Sequence, residues 1–446
     1  MRKVFAGLAG CIILLCGAPA LMGQGRAADP IDAAEAKGFF AEAKALSDAD
    51  NAMTWGATLY GPMILADPRT RQVVANQPDP EGVLKFHDGV YSGLLPDEVG
   101  IANTAVNWSG LKWTMLVWPL PDTRYERARH MMHELFHRIQ DDVGLPAATP
   151  PNAHMDERHA RVWLQLEFRA LSEALVREGE DGKRAIRDAL IFRAYRQSLY
   201  PSSGPQERDL EMNEGLAEYT GYRLCGLPPA AARARVAVRL EERERATSGY
   251  ARSFAYVTGA AYGLLLDEYS PNWRRPIRAV AGFDGMLSKA IGFEIPTGDL
   301  TSIATARAAA YDSARLMARE DKREAARQAR LAQVRARFVD GPVLSLPGDP
   351  GLRYTFNPMG IEAFDAEWMF FDTIRVTAPW GILEVSDRGA LVRHPDGVSL
   401  SEIRVSSPAR SDESLVSGPG WSLRLARGWR AADGPRPGDM TLQKLN

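Results

Sequence analysis

The chain has 446 residues, enough for two or three compact units with a substantial buried core. Hydrophobic residues at 45% and charged residues at 25% match an average soluble globular protein, which argues against a multi-pass membrane protein or a disordered chain. A formal charge of -2 gives no general attraction to nucleic acid, so no nucleic-acid partner is expected.

Arg2 and Lys3 precede an apolar run over residues 4–22, and small residues continue as far as Ala28. That is the layout of a secretory signal, so residues 1–28 are expected to direct the chain to the periplasm or the medium. The run approaches the length of a membrane span, so an uncleaved N-terminal anchor is the alternative, and only then is membrane contact expected. Cleavage near Ala28 would remove Cys11 and Cys16 and leave Cys225 without a disulfide partner. It would also remove Arg2, Lys3 and Arg26, taking the formal charge from -2 to -5.

Residues 29–121 open with a short helical stretch and then read as strands at 60–66, 71–75, 83–94 and 108–120, punctuated by Gly, Pro, Asn and Asp. Residues 122–338 change to long segments with apolar residues every three or four positions, which predicts a mainly helical region. Thr301 or Ser302 is placed to cap a long, locally basic helix running toward Phe338. After Gly341 strands return near 374–376, 382–385, 390–393 and 422–426, with turns at Asp387-Arg388-Gly389 and Pro395-Asp396-Gly397. The expected class is α+β. A catalytic unit spans residues 29–338, β-rich to 121 and helical beyond, and a small β module spans 339–446.

Thr123 to Glu126 match a capping box, and the helix they open should stop near Gly144 and Pro146. It contains His133-Glu134-Leu135-Phe136-His137. Four residues make about one helical turn, so both imidazoles project from one face and suit a single Zn2+ at ~2.0–2.1 Å. Glu134, offset by one residue, suits a base that deprotonates a metal-activated water. His130 lies on a neighbouring part of that face, and a packing role is the ordinary reading for it. His87, His154, His159 and His394 have no comparable company.

Two histidines leave a tetrahedral site one protein ligand short. A third histidine six residues on is excluded, because Val143 stands there. Leu210 to Tyr219 read as one helix in which Glu214 would bind the metal. Gly215 and Ala217 would allow close approach to the first helix, and Glu218 would accept a hydrogen bond from a liganding imidazole.

The two segments together, HELFH and NEGLAEY, resemble the gluzincin superfamily of zinc metallopeptidases, which pairs HExxH with an Asn-Glu helix. The resemblance covers two short motifs and implies one Zn2+, peptide-bond hydrolysis and a peptide or protein substrate. In that family the acid comes far sooner after the second histidine than here, where Glu214 lies 77 residues beyond His137. A helical insertion over about 155–199 must therefore loop out and return. Glu157, 20 residues after His137, suits the familiar spacing better and is the rival ligand, with Glu167 a more distant one.

The resemblance also implies a donor for the developing oxyanion. Tyr256-Val257-Thr258-Gly259 is similar to the Tyr-x-x-Gly helix of aminopeptidase-like members, which assigns that role to Tyr256 beside Tyr250, Tyr262 and Tyr269 as neighbours. Arg252 and Arg274 are candidates for a substrate carboxylate. The strand over 112–118 is the nearest one to which a peptide could add. The segment by which aminopeptidases recognise a free N-terminus has no counterpart here. Two other functions fit the same residues: an envelope binding or assembly protein with a structural zinc, and a zinc hydrolase acting on a non-peptide ester or amide.

Overall fold

The structure, a computed structural model, describes the two-residue strand β1 (Ile13–Leu14) and residues 30–445. Positions 146, 247–248, 276, 278–281, 358–359, 396–398 and 413 lie outside the described residues. The expected signal, with Cys11 and Cys16, therefore falls outside them apart from β1, as does most of the Pro395-Asp396-Gly397 turn. Among the described residues no helix is long and apolar enough to cross a membrane. The class is α+β as expected. Two compact units form, and the division falls between Glu324 and Ala325 rather than after Phe338.

The larger unit opens with α1 (Ala33–Asp50), whose N-cap Asp32 accepts from Glu35 N at 2.7 Å. A mixed sheet comes next: β2 (Met63–Ala66), β3 (Gln72–Ala75), β4 (Lys85–His87), β5 (Val90–Leu94), β6 (Thr104–Trp108) and β7 (Leu111–Val117). Its order is β4-β5-β3-β2-β7-β6, antiparallel except for the parallel pair β2 and β7. The expected strand at 83–94 is a hairpin, turned at Asp88 and Gly89, both at positive φ. Strand β6 was not anticipated; it joins β7 through Ser109 and Gly110, again both at positive φ, the geometry of a tight two-residue turn.

The helices are α2 (Arg124–Ile139), α3 (Arg158–Val176), α4 (Gly179–Leu199), α5 (Ser203–Leu210), α6 (Leu216–Leu224), α7 (Pro229–Arg245), α8 (Phe254–Tyr269), α9 (Gly282–Ala290), α10 (Leu300–Ala308) and α11 (Ser313–Arg335). Helix α2 packs on β6, β7 and α6, burying Ala128, Met131, Met132, Leu135, Phe136 and Ile139. Each large apolar side chain so buried contributes about 1.5–3 kcal/mol. Thr123 occupies the N-cap but makes no side-chain cap bond, and the Glu126 carboxylate meets Arg129 (3.0 Å) and Arg235 (3.3 Å).

The residues between the two motifs do not loop out. Helices α3 and α4 form an antiparallel hairpin in the core, and α3 has 14 of its 19 residues buried. The long C-terminal helix is also two: Asp299, not Thr301 or Ser302, caps α10, and Asp312 at φ 50° ends it before α11.

In the smaller unit α11 leads into β8 (Val343–Pro347), β9 (Arg353–Phe356), β10 (Ile361–Ala363), β11 (Trp368–Phe371), β12 (Ile374–Ala378), β13 (Gly381–Val385) and β14 (Ala390–Arg393). Then come β15 (Glu402–Ser406), β16 (Arg410–Ser411), β17 (Leu415–Gly418), β18 (Trp421–Leu425), β19 (Trp429–Asp433) and β20 (Met440–Lys444). They make two sheets, β1-β9-β12-β13-β18-β17-β16 and β10-β11-β14-β15-β8-β20-β19. Alternate residues such as Val376, Leu383, Val392, Ile403 and Leu423 fill one shared core. Arg388 and Gly389, both at positive φ, make the expected turn.

Candidate metal centre

The regular spacing of α2 brings His133, Glu134 and His137 inward, the first two buried and the third half-buried. Their ligand atoms lie within 4.8 Å of one another. The segment from Leu210 is not one regular helix: α5 passes into a π-turn, Glu211–Gly215, and then into α6. Such an inserted residue rotates the later helical turns relative to the earlier ones. It sends Glu211 toward α3 and α4 and Glu214 toward α2.

Glu214 Oε2 lies 3.4 Å from His137 Nε2 and 3.6 Å from His133 Nε2, and the two Nε2 atoms are 3.2 Å apart. Glu134 Oε1 is further, 3.9 Å from His133 Nε2. Ligands at ~2.0–2.1 Å in a tetrahedral site stand roughly 3.3 Å from each other, so the triangle made with Glu214 has the dimensions of three such ligands. Neither oxygen of Glu134 nor Oε2 of Glu214 has a hydrogen-bond partner, although all three are buried. Buried carboxylate oxygens are normally partnered, and two histidine nitrogens with one such oxygen form a donor set suited to a divalent transition metal.

The far nitrogens fix which ring atoms face inward. His133 Nδ1 lies 2.8 Å from Glu218 Oε2, and His137 Nδ1 lies 3.0 Å from Gln140 Oε1, while Gln140 Nε2 donates to the Met212 carbonyl at 3.3 Å. With both Nδ1–H groups donating outward, each Nε2 turns a lone pair toward the other. Two lone pairs at 3.2 Å repel unless a proton or a cation lies between them.

The charges match this layout. Burial pushes the Glu134 carboxyl up, and the two imidazoles only partly offset it. Burial also acts on Glu214, but His137 and His133 outweigh it and hold the carboxyl far below its ordinary range. The reciprocal effect raises His137, where Glu214 overcomes burial. Glu218 is held at about 2: burial opposes its charge, and Arg129 and His133 overcome that. Arg129, one turn before His133, donates to both Glu218 oxygens at 2.7 Å.

Tyr256 on α8 stacks on His133, with ring planes 3° apart and centroids at 5.8 Å. Glu157 is excluded from the cluster, because it is exposed at the start of α3 and accepts from Tyr200 OH at 3.1 Å. Glu167 is buried elsewhere, among Arg193, Arg196 and Tyr262. His130 is half-buried, with burial and the Arg129 charge taking it down to about 3. His154 pairs with Glu207 at 2.9 Å; His87 and His159 are exposed, and His394 is buried in the smaller unit. Arg252 donates to the Thr149 carbonyl at 3.0 Å, and Arg274 to Tyr219 OH at 2.7 Å and to Asp267.

Two expected details are corrected. Gly215 gives clearance toward α8 rather than α2, since a Cβ on it would lie 2.9 Å from Gly259 Cα. The glycine that admits α2 is Gly221, where a Cβ would meet the Arg129 carbonyl at 2.6 Å. The strand over 112–118 cannot accept a peptide, because β7 is paired on both sides; β6 is the edge strand. Gln140 and Arg129 went unrecognised in the sequence. Their signal was helical spacing alone, three residues after His137 and four before His133.

Comparison with protein-family models, with curated proteins and with solved structures finds no match.

Proposed function

We propose that the chain is an exported zinc-dependent peptidase in which His133, His137 and Glu214 hold one Zn2+ and Glu134 is the general base. The observation that carries this reading is the triangle of two imidazole nitrogens and one carboxylate oxygen, with sides of 3.2, 3.4 and 3.6 Å, next to a second buried carboxylate without a hydrogen-bond partner. When bound, Zn2+ would polarise a substrate carbonyl and lower the pKa of a water toward ~7.

The protein's own groups do the rest. Glu134 takes the proton from the attacking water and returns it to the departing amine; its burial helps it hold that proton between the two events. Glu218 and Gln140 fix the imidazoles so that both Nε2 atoms are available for coordination. Tyr256, stacked beside His133, donates to the oxygen on which negative charge gathers. A substrate backbone pairs with edge strand β6, one of the two strands under α2.

The purified protein should carry about one zinc per chain. Glu134→Gln should keep the metal and lose about 10²–10⁴-fold in peptide hydrolysis, whereas Glu214→Ala should lose the metal. Wild-type cleavage by Glu134→Gln would falsify the mechanism. Parallel assays on esters and cell-wall amides separate a peptidase from a hydrolase of other substrates, and bound zinc without turnover of any of them would favour a binding protein.

A further inference from the structure

Next to the metal-site residues lies a second buried charged cluster that the proposed chemistry does not use. Arg193 and Arg196 on α4, Glu167 on α3, Glu207 on α5 and Glu211 in the π-turn are each 0–2% exposed. Arg193 donates from Nε to Glu167 at 2.8 Å and grips both oxygens of Glu211 from NH1 (2.9 Å) and NH2 (2.5 Å). Arg196 grips Glu207 in the same way, at 3.1 and 2.8 Å, and also reaches Glu167. Tyr262 and Thr258 of α8 donate to Glu167 and Glu211.

Stability alone does not call for this arrangement. Taking an ion out of water costs several kcal/mol even after relaxation, and well-packed apolar residues often serve equally well in its place. What a forked guanidinium–carboxylate pair adds is direction, because both bonds must be satisfied at once. Here the direction is imposed on Glu211, three residues before Glu214 and in the same turn. That turn is also pressed against Gly259 through Gly215, and tied to α2 through Gln140 and the Met212 carbonyl.

We infer that Arg193 is a positioning residue for the metal site: by clamping Glu211 it holds the π-turn in the register that aims Glu214 at His133 and His137. The helical hairpin α3–α4, which separates the two motifs in the chain, thereby acts as the scaffold of the ligand-bearing turn. The inference rests on the zinc-site reading proposed above.

The test compares zinc affinity, by competition with a chromophoric chelator, with the melting temperature of the metal-free protein. The variants are Arg193→Met/Glu211→Met, Glu211→Gln, Arg193→Lys, Glu320→Gln and Glu214→Ala. Glu320, buried against Arg161 at 2.7 Å, controls for the loss of any buried pair. The paired methionine variant should melt near wild type yet bind zinc about 10- to 100-fold more weakly. Glu211→Gln carries the same expectation should the paired variant fail to fold, and Arg193→Lys should recover part of the affinity. Co2+ spectra of the affinity-impaired variants should depart from wild type, and Glu320→Gln should lower the melting temperature without moving zinc affinity. Wild-type zinc affinity in folded Glu211→Gln or in the paired variant overturns the inference. Wild-type affinity in Glu214→Ala overturns the zinc-site reading instead.

Discussion

Glu211 and Glu214 stand three residues apart, and each belongs to a buried cluster of charge built on opposite terms. Around Glu211 the three carboxylates all meet guanidinium nitrogens. Around Glu214 the near neighbours are imidazole nitrogens at 3.4 and 3.6 Å, and Glu134 beside it has no hydrogen-bond partner for either oxygen. The low local dielectric that strengthens the first cluster makes the second unfavourable on its own. Complete pairing leaves nothing for a cation to supply, whereas the unpartnered buried acids of the second cluster are the observation on which the proposed metal site rests.

The comparison breaks most readily through stability. Removing one partner from the complete cluster, as in Arg196→Met, should cost about 3–5 kcal/mol, because buried Glu207 loses its guanidinium and Glu167 keeps only one of its two. Glu134→Gln, measured in chelator, should cost far less, since no hydrogen bond is lost. Denaturant melts of both variants check the contrast, and equal losses would erase it.

A smaller effect concerns the proposed metal. Zinc at 100 times its dissociation constant should stabilise the wild type by about 2.7 kcal/mol and leave Glu214→Ala unmoved. Thermal melts with and without chelator read this directly.

Asp79 sharpens the comparison least but offers a third kind of partnering, by neutral donors alone. It accepts from Ser109 Oγ (2.6 Å) and from the amides of Val83 (2.9 Å) and Leu84 (2.7 Å). Burial pushes its carboxyl up, but these bonds prevail and hold it at about 2. A depressed folded pKa contributes stability above the unfolded value of ~3.9 that is lost as pH falls toward 2. Asp79→Asn should thus cost about 1–2 kcal/mol at neutral pH. That gap should close between pH 4 and 2 in acid titrations of the two proteins.

Local signals survived into the structure where local physics governs. The His133 and His137 pair arises from helical spacing, the alternating strands of the smaller unit from the two-residue period, and the Arg388-Gly389 turn from backbone sterics. Glu214 and Glu218 were also legible, as acids one turn apart beside small residues. Signals that depended on competition were misread. The Glu126 carboxylate expected in a capping box met two arginines instead, and Glu157 had the attractive spacing but an exposed place at a helix start.

By itself the sequence determined that one helix would present two imidazoles and an acid, because 3.6 residues per turn is a property of the backbone that no neighbour needs to supply. Which distant acid meets them was decided only by tertiary structure. The π-turn that directs Glu214 depends on Arg193, Thr258 and Gly259, residues on other helices, and contacts between elements far apart in the chain leave no period in the sequence between them.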